Sequence, residues 1–289
     1  MPNTITLSKN YTSLLDEVYK TACVTADLTS DPSMSRAGAN ANEIVYPQIT
    51  VSGLGDYDRN SGYTTGAVDL KWKTAAFNYD RGTKISVDVM DNEESRNLAF
   101  GMAGATLMRE KAAPEADAFT FAVLAALDNI SKTTGTIENA TQFIDALLTA
   151  WSKMDEDEVP QEGRILYATA TMLNSVMALD TTKSREILGK FAVKKVVPQA
   201  RFCTAIDLLD GKSPGEELGH YKKAESGADI NFMIIHKPAI IKFDKHIVSN
   251  IIPASTNADA DADIVKYRKY GIVDAYANKR AGIYMNSKS

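Results

Sequence analysis

The stretches that could do chemistry are few, and each lacks a residue that its chemistry requires. GLGDYD, residues 53–58, opens like a dinucleotide-binding turn, in which three glycines let the backbone approach a pyrophosphate at a helix N-terminus. The third glycine would stand at 58, where the chain has Asp58, and strand-like sequence follows instead of a helix. GKS at 211–213 has the end of a phosphate-binding loop, but the first glycine would fall on Ile206, and Pro214 and Gly215 stand where a helix must begin. In DADAD, 259–263, Asp259, Asp261 and Asp263 alternate as in a calcium loop, yet the sixth position is Ile264 instead of glycine and the twelfth is Tyr270 instead of glutamate. His220, His236 and His246 have no paired metal spacing, and no serine stands in a G-x-S-x-G elbow. These stretches read as turns, a solvated acidic loop and structural histidines. Carboxylates that share acid and base work are paired in space, which one sequence does not reveal. The sequons NYT, NIS and NAT matter only in a secreted chain. The reading is therefore of a protein without catalytic, cofactor-binding or metal-binding residues, and not an enzyme.

A chain of 289 residues folds without staples, burying roughly 75% of its unfolded surface. With 44% hydrophobic and 24% charged residues it has the composition of a soluble globular protein. Apolar runs such as FMII at 232–235 are far shorter than the ~18 residues that span a bilayer, and MPNTITLSKN lacks a signal-peptide pattern. No membrane partner and a cytoplasmic site of synthesis are expected. Cys23 and Cys203 are too few for a cluster or a disulfide framework and read as small apolar residues. A net charge of -5 argues against a general nucleic-acid binder, and Lys194, Lys195 and Arg201 read as a solvated polar face.

The elements that would position any site come next. Residues 1–45 are polar, with one amphipathic turn at Leu14, Leu15, Val18 and Tyr19, and 29–43 reads as an extended, weakly ordered arm. Ile49 and Val51 alternate with Thr50 and Ser52, predicting a strand with one covered face. Val68, Leu70, Trp72 and Thr74 alternate again until the phase shifts after Ala76, so 45–82 reads as a two-stranded arm with a bend. Ile85, Val87 and Val89 continue the alternation. Asp91 is placed to cap a helix running to about Asn129, with Glu93 and Glu94 in its first turn and a kink or restart at Pro114. About 35 residues at 1.5 Å each would make a rod of roughly 50 Å. Beyond it, Phe143, Leu147, Trp151 and Met154 mark a helix, RILYATA a buried strand, and the stretch to Leu179 a helix. VKKVVP reads as the end of a strand, NFMIIHK and IIKF as a further pair and VSNIIP as a third segment of a mixed α/β domain with a central sheet, and IVKYRKYGIVDAYANKRAGIYM as a strand-rich return onto the long helix.

That order resembles the major capsid proteins of tailed bacteriophages, the Hong Kong 97 type coat fold. Local sequences carry the likeness too: PQITVSGLGDYDRNSGY, NYDRGTKISVDVMDNEES, PEADAFTFAVLA, VPQEGRILYATATML, KKVVPQARF, INFMIIHKPAIIKFDK and YRKYGIVDAYANKRAGIYM, over roughly 44–285. The resemblance implies an α+β chain with an N-terminal arm (1–45), an extended β-hairpin loop (46–82), a peripheral domain with a spine helix (83–136), an axial domain (137–250) and a C-terminal return to the peripheral domain (251–289). It implies self-assembly as pentamers and hexamers into an icosahedral head that encloses double-stranded DNA, in a virion assembled in the host cytoplasm. A separate scaffolding protein and a portal are implied partners.

Under this resemblance the loop tip, with Asp56, Tyr57, Asp58, Arg59 and Tyr63, would contact a neighbouring subunit, because a lone two-stranded ribbon needs a covering surface. Arg36, Arg96, Arg109 and Lys111 would face the packaged DNA. Lys71 or Lys73 with Asn278 would be the pair to test for the covalent crosslink that some members form. Two other readings stay open: an encapsulin-like nanocompartment shell, and a soluble α/β hydrolase or ligand-binding protein with one concave pocket.

Overall fold

The computed structural model describes residues 22–30, 36–37, 42–94, 98–179 and 181–288, with the backbone alone at 36–37 and 98–101. The amphipathic turn at Leu14–Tyr19 and Arg96 lie outside the described residues.

In chain order, a 3-10 turn at Val24–Leu28 is followed by strands β1 (Arg36–Ala37), β2 (Glu43–Val51), β3 (Val68–Ala76) and β4 (Tyr79–Asp88). Helices α1 (Val89–Glu94) and α2 (Leu98–Thr106) come next, then a π-helical turn (Leu107–Ala112) that runs into α3 (Ala113–Ala126). The second half alternates: β5 (Ser131–Thr134), α4 (Ala140–Glu156), β6 (Arg164–Ala168), α5 (Ala170–Leu179), α6 (Thr182–Gly189), β7 (Val193–Val196), β8 (Ile206–Leu208), β9 (Tyr221–Lys223), β10 (Ile230–His236), β11 (Ile240–Ile252), β12 (Ala262–Ala275) and β13 (Ile283–Ser287).

The centre is a mixed sheet in the order β5-β13-β10-β6-β7. Its inner strands are buried on both faces, which is why RILYA and INFMIIH are nearly continuous apolar runs. Alternation divides their side chains between two cores. Ile165, Tyr167, Met233 and Ile235 face α3, packing with Phe121 and Leu124. Leu166, Ala168, Phe232 and Ile234 face α4–α6, packing with Phe143, Leu147, Trp151 and Ile187. Asn139 caps α4 by accepting from the Gln142 amide at 2.9 Å, and Thr181 and Ser184 form a reciprocal capping box at α6. The sheet takes β5 and β13 from outside 137–250, so its strands do not follow those sequence limits.

A second sheet, β11-β12-β4, is antiparallel throughout, and β12 pairs with all ten residues of β4. IIKF and VSNII belong to one strand, β11, interrupted only by a bulge between Asp244 and His246. The sequence reading separated them because the polar Asp244–Lys245–His246 stretch breaks the apolar run, whereas a bulge absorbs the extra residue without ending the strand.

Two helix signals resolve in a local way. Asp88, not Asp91, caps α1, accepting from the Met90 amide at 2.9 Å; the helix begins three residues earlier than a cap at Asp91 implies. The break near Pro114 is the π-helical turn, in which the Ala113 amide donates to the Met108 carbonyl. Pro114 stands in the first turn of α3, where a missing amide donor costs least.

Candidate assembly interface

Strands β2 and β3 pair in register from Glu43↔Ala76 to Val51↔Val68 and leave the body as a ribbon. Its root is held: Ile44, Tyr46 and Ala75 pack against Ile241 and Ile272, and the Tyr46 ring meets Tyr276 edge-on with centroids 5.0 Å apart. Past Gln48 the covering stops. Ile49 (61% exposed), Val51 (64%), Val68 (70%), Leu70 and Trp72 all stand in solvent. The sequence predicts a covered face at Ile49 and Val51, whereas among the described residues nothing covers it. A ribbon with this much bare apolar surface is the kind of patch that marks an interaction site.

At the tip, Tyr57 and Tyr63 pack edge-on with centroids 4.8 Å apart. Asp58 and Gly62 exchange backbone hydrogen bonds, Gly62 takes the left-handed φ of 81° that the turn needs, and Asp58 Oδ1 accepts from the Asn60 and Ser61 amides. Those amides hold its carboxyl below the usual carboxylate range. Asp58 thus shapes the turn itself, while Asp56 and Arg59 are exposed beside it. Lys71 pairs with Asp69 on its own strand at 2.5 Å, Lys73 is exposed, and Asn278 is exposed in the turn after β12.

Arg109 and Lys111 lie exposed on the π-helical turn. Arg36 lies in β1 against β2, with Val45 as its register partner. Lys194 is exposed and Lys195 partly so, as a solvated face requires, but Arg201 is turned inward and all three have partners. Lys194 donates to the Leu188 and Phe191 carbonyls, Lys195 pairs with Asp27, and Arg201 pairs with the buried Asp117.

Two buried junctions join the β11-β12-β4 sheet to the long helix, and sequence reasoning missed both. At the first, Arg81 on β4 donates to both oxygens of Glu115 on α3, at 2.7 and 3.3 Å, and to the Leu209 and His220 carbonyls at 2.7 and 3.2 Å. Burial opposes the charge on Glu115, yet the neighbouring His220 and the Arg81 guanidinium outweigh it and hold the carboxyl below its ordinary range. A cavity of about 380 Å³ opens beside this cluster. At the second, Asp117, fully buried, accepts from the Val24 and Thr25 amides, the Thr25 hydroxyl, the Cys23 thiol and Arg201. Lys242, also buried, donates to the Thr25 carbonyl at 2.9 Å and to the Thr25 hydroxyl. Cys23 is therefore a polar participant, its thiol pushed up by burial and by the Asp117 charge, rather than the plain apolar filler its type suggested. Residues 22–30, placed in the arm by sequence, are pinned to the helix here. The signal was available: Glu115 and Asp117 are two acids in PEADAFTF, an otherwise apolar helical stretch, and buried acids require partners.

No protein-family model matches the sequence, nor does any curated protein. Solved structures match across nearly its whole length. A chain in the capsid of the cyanophage P-SCSP1u superposes with a TM-score of 0.60 over 88% of this chain and 85% of that one, at 13% identity. A chain of the mature capsid of bacteriophage PhiM1 gives 0.56 over 86% and 82%, at 11% identity. The chain has the phage capsid fold. The same fold relates it to the virus-like particle from Pyrococcus furiosus, with a TM-score of 0.58 over 97% of this chain and 99% of that one, at 7% identity. At identities this low, the likeness to these structures is one of fold. Among the described residues no helix is long and apolar enough to cross a membrane.

Proposed function

We propose that this chain is a capsid shell subunit that assembles with copies of itself into the closed head of a tailed phage. The observation that carries the reading is the bare apolar ribbon on a chain with the phage capsid fold. An isolated two-stranded ribbon is marginal in water, and among the described residues none covers the outer part of this one, so a second molecule supplies the partner face. In Hong Kong 97 terms, 46–82 is the extended loop, 83–136 carries the spine helix, 137–250 is the axial domain, and 251–289 returns to the peripheral domain. The subunits form pentamers and hexamers around double-stranded DNA, with a separate scaffolding protein and a portal as partners. Asp56, Tyr57, Asp58, Arg59 and Tyr63 contact the neighbouring subunit, and the exposed Arg109 and Lys111, with Arg36 and Arg96, face the DNA. The role is structural and involves no catalysis.

The near-complete overlap with the Pyrococcus furiosus virus-like particle supports a second reading, a nanocompartment shell with the same subunit contacts and a different content. Sizing followed by negative-stain electron microscopy of the purified full chain tests shell formation. Closed shells, capsomers or tubes are expected, and a homogeneous monomer under every condition would overturn it. Nucleic acid against protein inside the recovered shells separates the two contents.

A further inference from the structure

The 209–220 loop is tied to Glu115 through Arg81, and beside that tie stands a histidine with an unused nitrogen. Arg81 grips both stems of the loop through the carbonyls of Leu209 and His220. Gly211 and Gly219 approach each other closely above this grip, so the loop closes like a purse, with Leu218 almost fully in solvent (96% exposed). His220 holds a left-handed φ of 75°, uncommon for a residue with a Cβ. That backbone turns its ring toward the helix. Nδ1 lies 3.6 Å from Glu115 Oε2, is shut off from solvent, and has no hydrogen-bond partner. The cavity beside it separates the loop from the π-helical turn and leaves the loop room to shift.

We propose that His220 is a proton-operated latch: protonated, its Nδ1–H donates to Glu115 and holds the 209–220 loop against the long helix; neutral, it releases the loop. In the neutral Nε2–H tautomer, Nδ1 sets a lone pair against the carboxylate, and the tie from the loop stems to Glu115 runs through Arg81. Addition of one proton at Nδ1 gives Glu115 a second charged donor and shortens the 3.6 Å gap to a hydrogen bond. Imidazole is the side chain whose ordinary titration spans about pH 5 to 8.

The surroundings bias this equilibrium in both directions. From β4, Tyr79 donates to Glu115 at 3.2 Å and Arg81 competes with His220 for the same carboxylate. From the π-helical turn Lys111, and from β4 Lys84, line the cavity and oppose a further positive charge. Within the loop, Asp210 and Glu217 favour that charge while Lys212 opposes it; Tyr267 of β12 lines the same space, and Tyr221 of β9 packs edge-on against the ring at 4.5 Å. Glu115 is the acid nearest to Nδ1 in this set and decides the direction. Protonation closes the latch, so the loop tightens as pH falls and loosens as it rises.

The latch operates within one chain and stands whether or not the chain builds a shell. It is tested by hydrogen–deuterium exchange of the full chain between about pH 5 and 8, with intrinsic exchange rates divided out. Protection of the amides in 209–220 should fall about tenfold from the acid to the alkaline end, as expected for loss of one charge-assisted hydrogen bond. In His220→Asn, which tolerates the left-handed backbone and leaves the Arg81 contacts in place, that dependence should vanish. Equal pH dependence in the wild type and His220→Asn, or none in the wild type, would overturn the proposal. Nitrogen-15 shifts of His220 in the unaltered protein give an independent reading. Protonation at Nδ1 that tracks loop protection is the expected result, and an imidazole that stays neutral to pH 5 sinks the idea whether or not the variant folds.

Discussion

Arg81 and Glu115 face each other in a two-pronged ion pair between β4 and α3, with Nε 2.7 Å from Oε1 and Nη2 3.3 Å from Oε2. β4 follows the ribbon after only two residues, and α3 is the buried part of the long helix, so one pair of side chains couples the projecting element to the rigid one.

Glu115→Gln should destabilise the unassembled chain by about 3 kcal/mol, because it strands a guanidinium that is three-quarters buried. It should also change the acid response. The Glu115 carboxyl titrates lower in the folded chain than in the unfolded one, so its contribution is complete above the unfolded value of about 4.3 and is lost as pH falls through the folded value. Thermal midpoints from pH 7 down to about 3 should therefore decline less steeply in the variant. Parallel curves would show that the pair does not govern acid stability.

The Asp117 junction predicts a different failure. Asp117→Asn removes the charge that faces Arg201 and one of the acceptors that receive Thr25 and Cys23, at a site with no exposure. The expected loss is about 3 kcal/mol, with exchange rising first in residues 22–30 while the central sheet stays protected. Uniform loss of protection across the chain would mean that this segment has no separate anchor.

On the ribbon, Ile49→Ser combined with Val68→Ser should leave the unassembled chain within about 0.5 kcal/mol of wild type, because both side chains already stand in solvent. Shell yield should drop at least tenfold, as scored by sedimentation. Unchanged yield would remove the ribbon from the assembly contact.

Gly271 faces the β11 bulge, and a Cβ there would lie 2.5 Å from Asp244 Oδ1 and 2.9 Å from the Phe243 carbonyl. Gly271→Ala should cost about 2 kcal/mol, read from denaturant midpoints, since backbone on one side of the clash cannot yield. A neutral result would show that the bulge relaxes.

Elements whose sequence period matches their burial were legible. Phe143, Leu147, Trp151 and Met154 mark α4, and RILYA marks β6, because in each the packing surface follows directly from local geometry. The ribbon was legible as a pair of strands, but the burial of its apolar face was not, since alternation says that a face wants cover and says nothing of whether the same chain supplies it. The Arg81–Glu115–His220 and Asp117–Thr25–Lys242 junctions were not read at all. Their members lie from 34 to 217 positions apart in the chain, and only the fold brings them together. The order of elements nonetheless pointed to the fold that the solved structures share, although no single motif did.

The ten-residue pairing of β4 with β12 has a mechanical consequence. Tension applied to the tip of the ribbon passes through Phe77 and Asn78 into β4, and its component along the strand loads the ladder lengthwise, so that the hydrogen bonds share the force at once. A ladder pulled from its side opens like a zipper, one rung at a time; this one resists as a glued lap joint does. The ribbon is thus built as a tether that carries traction into the body of the subunit, and the body yields only when many rungs break together.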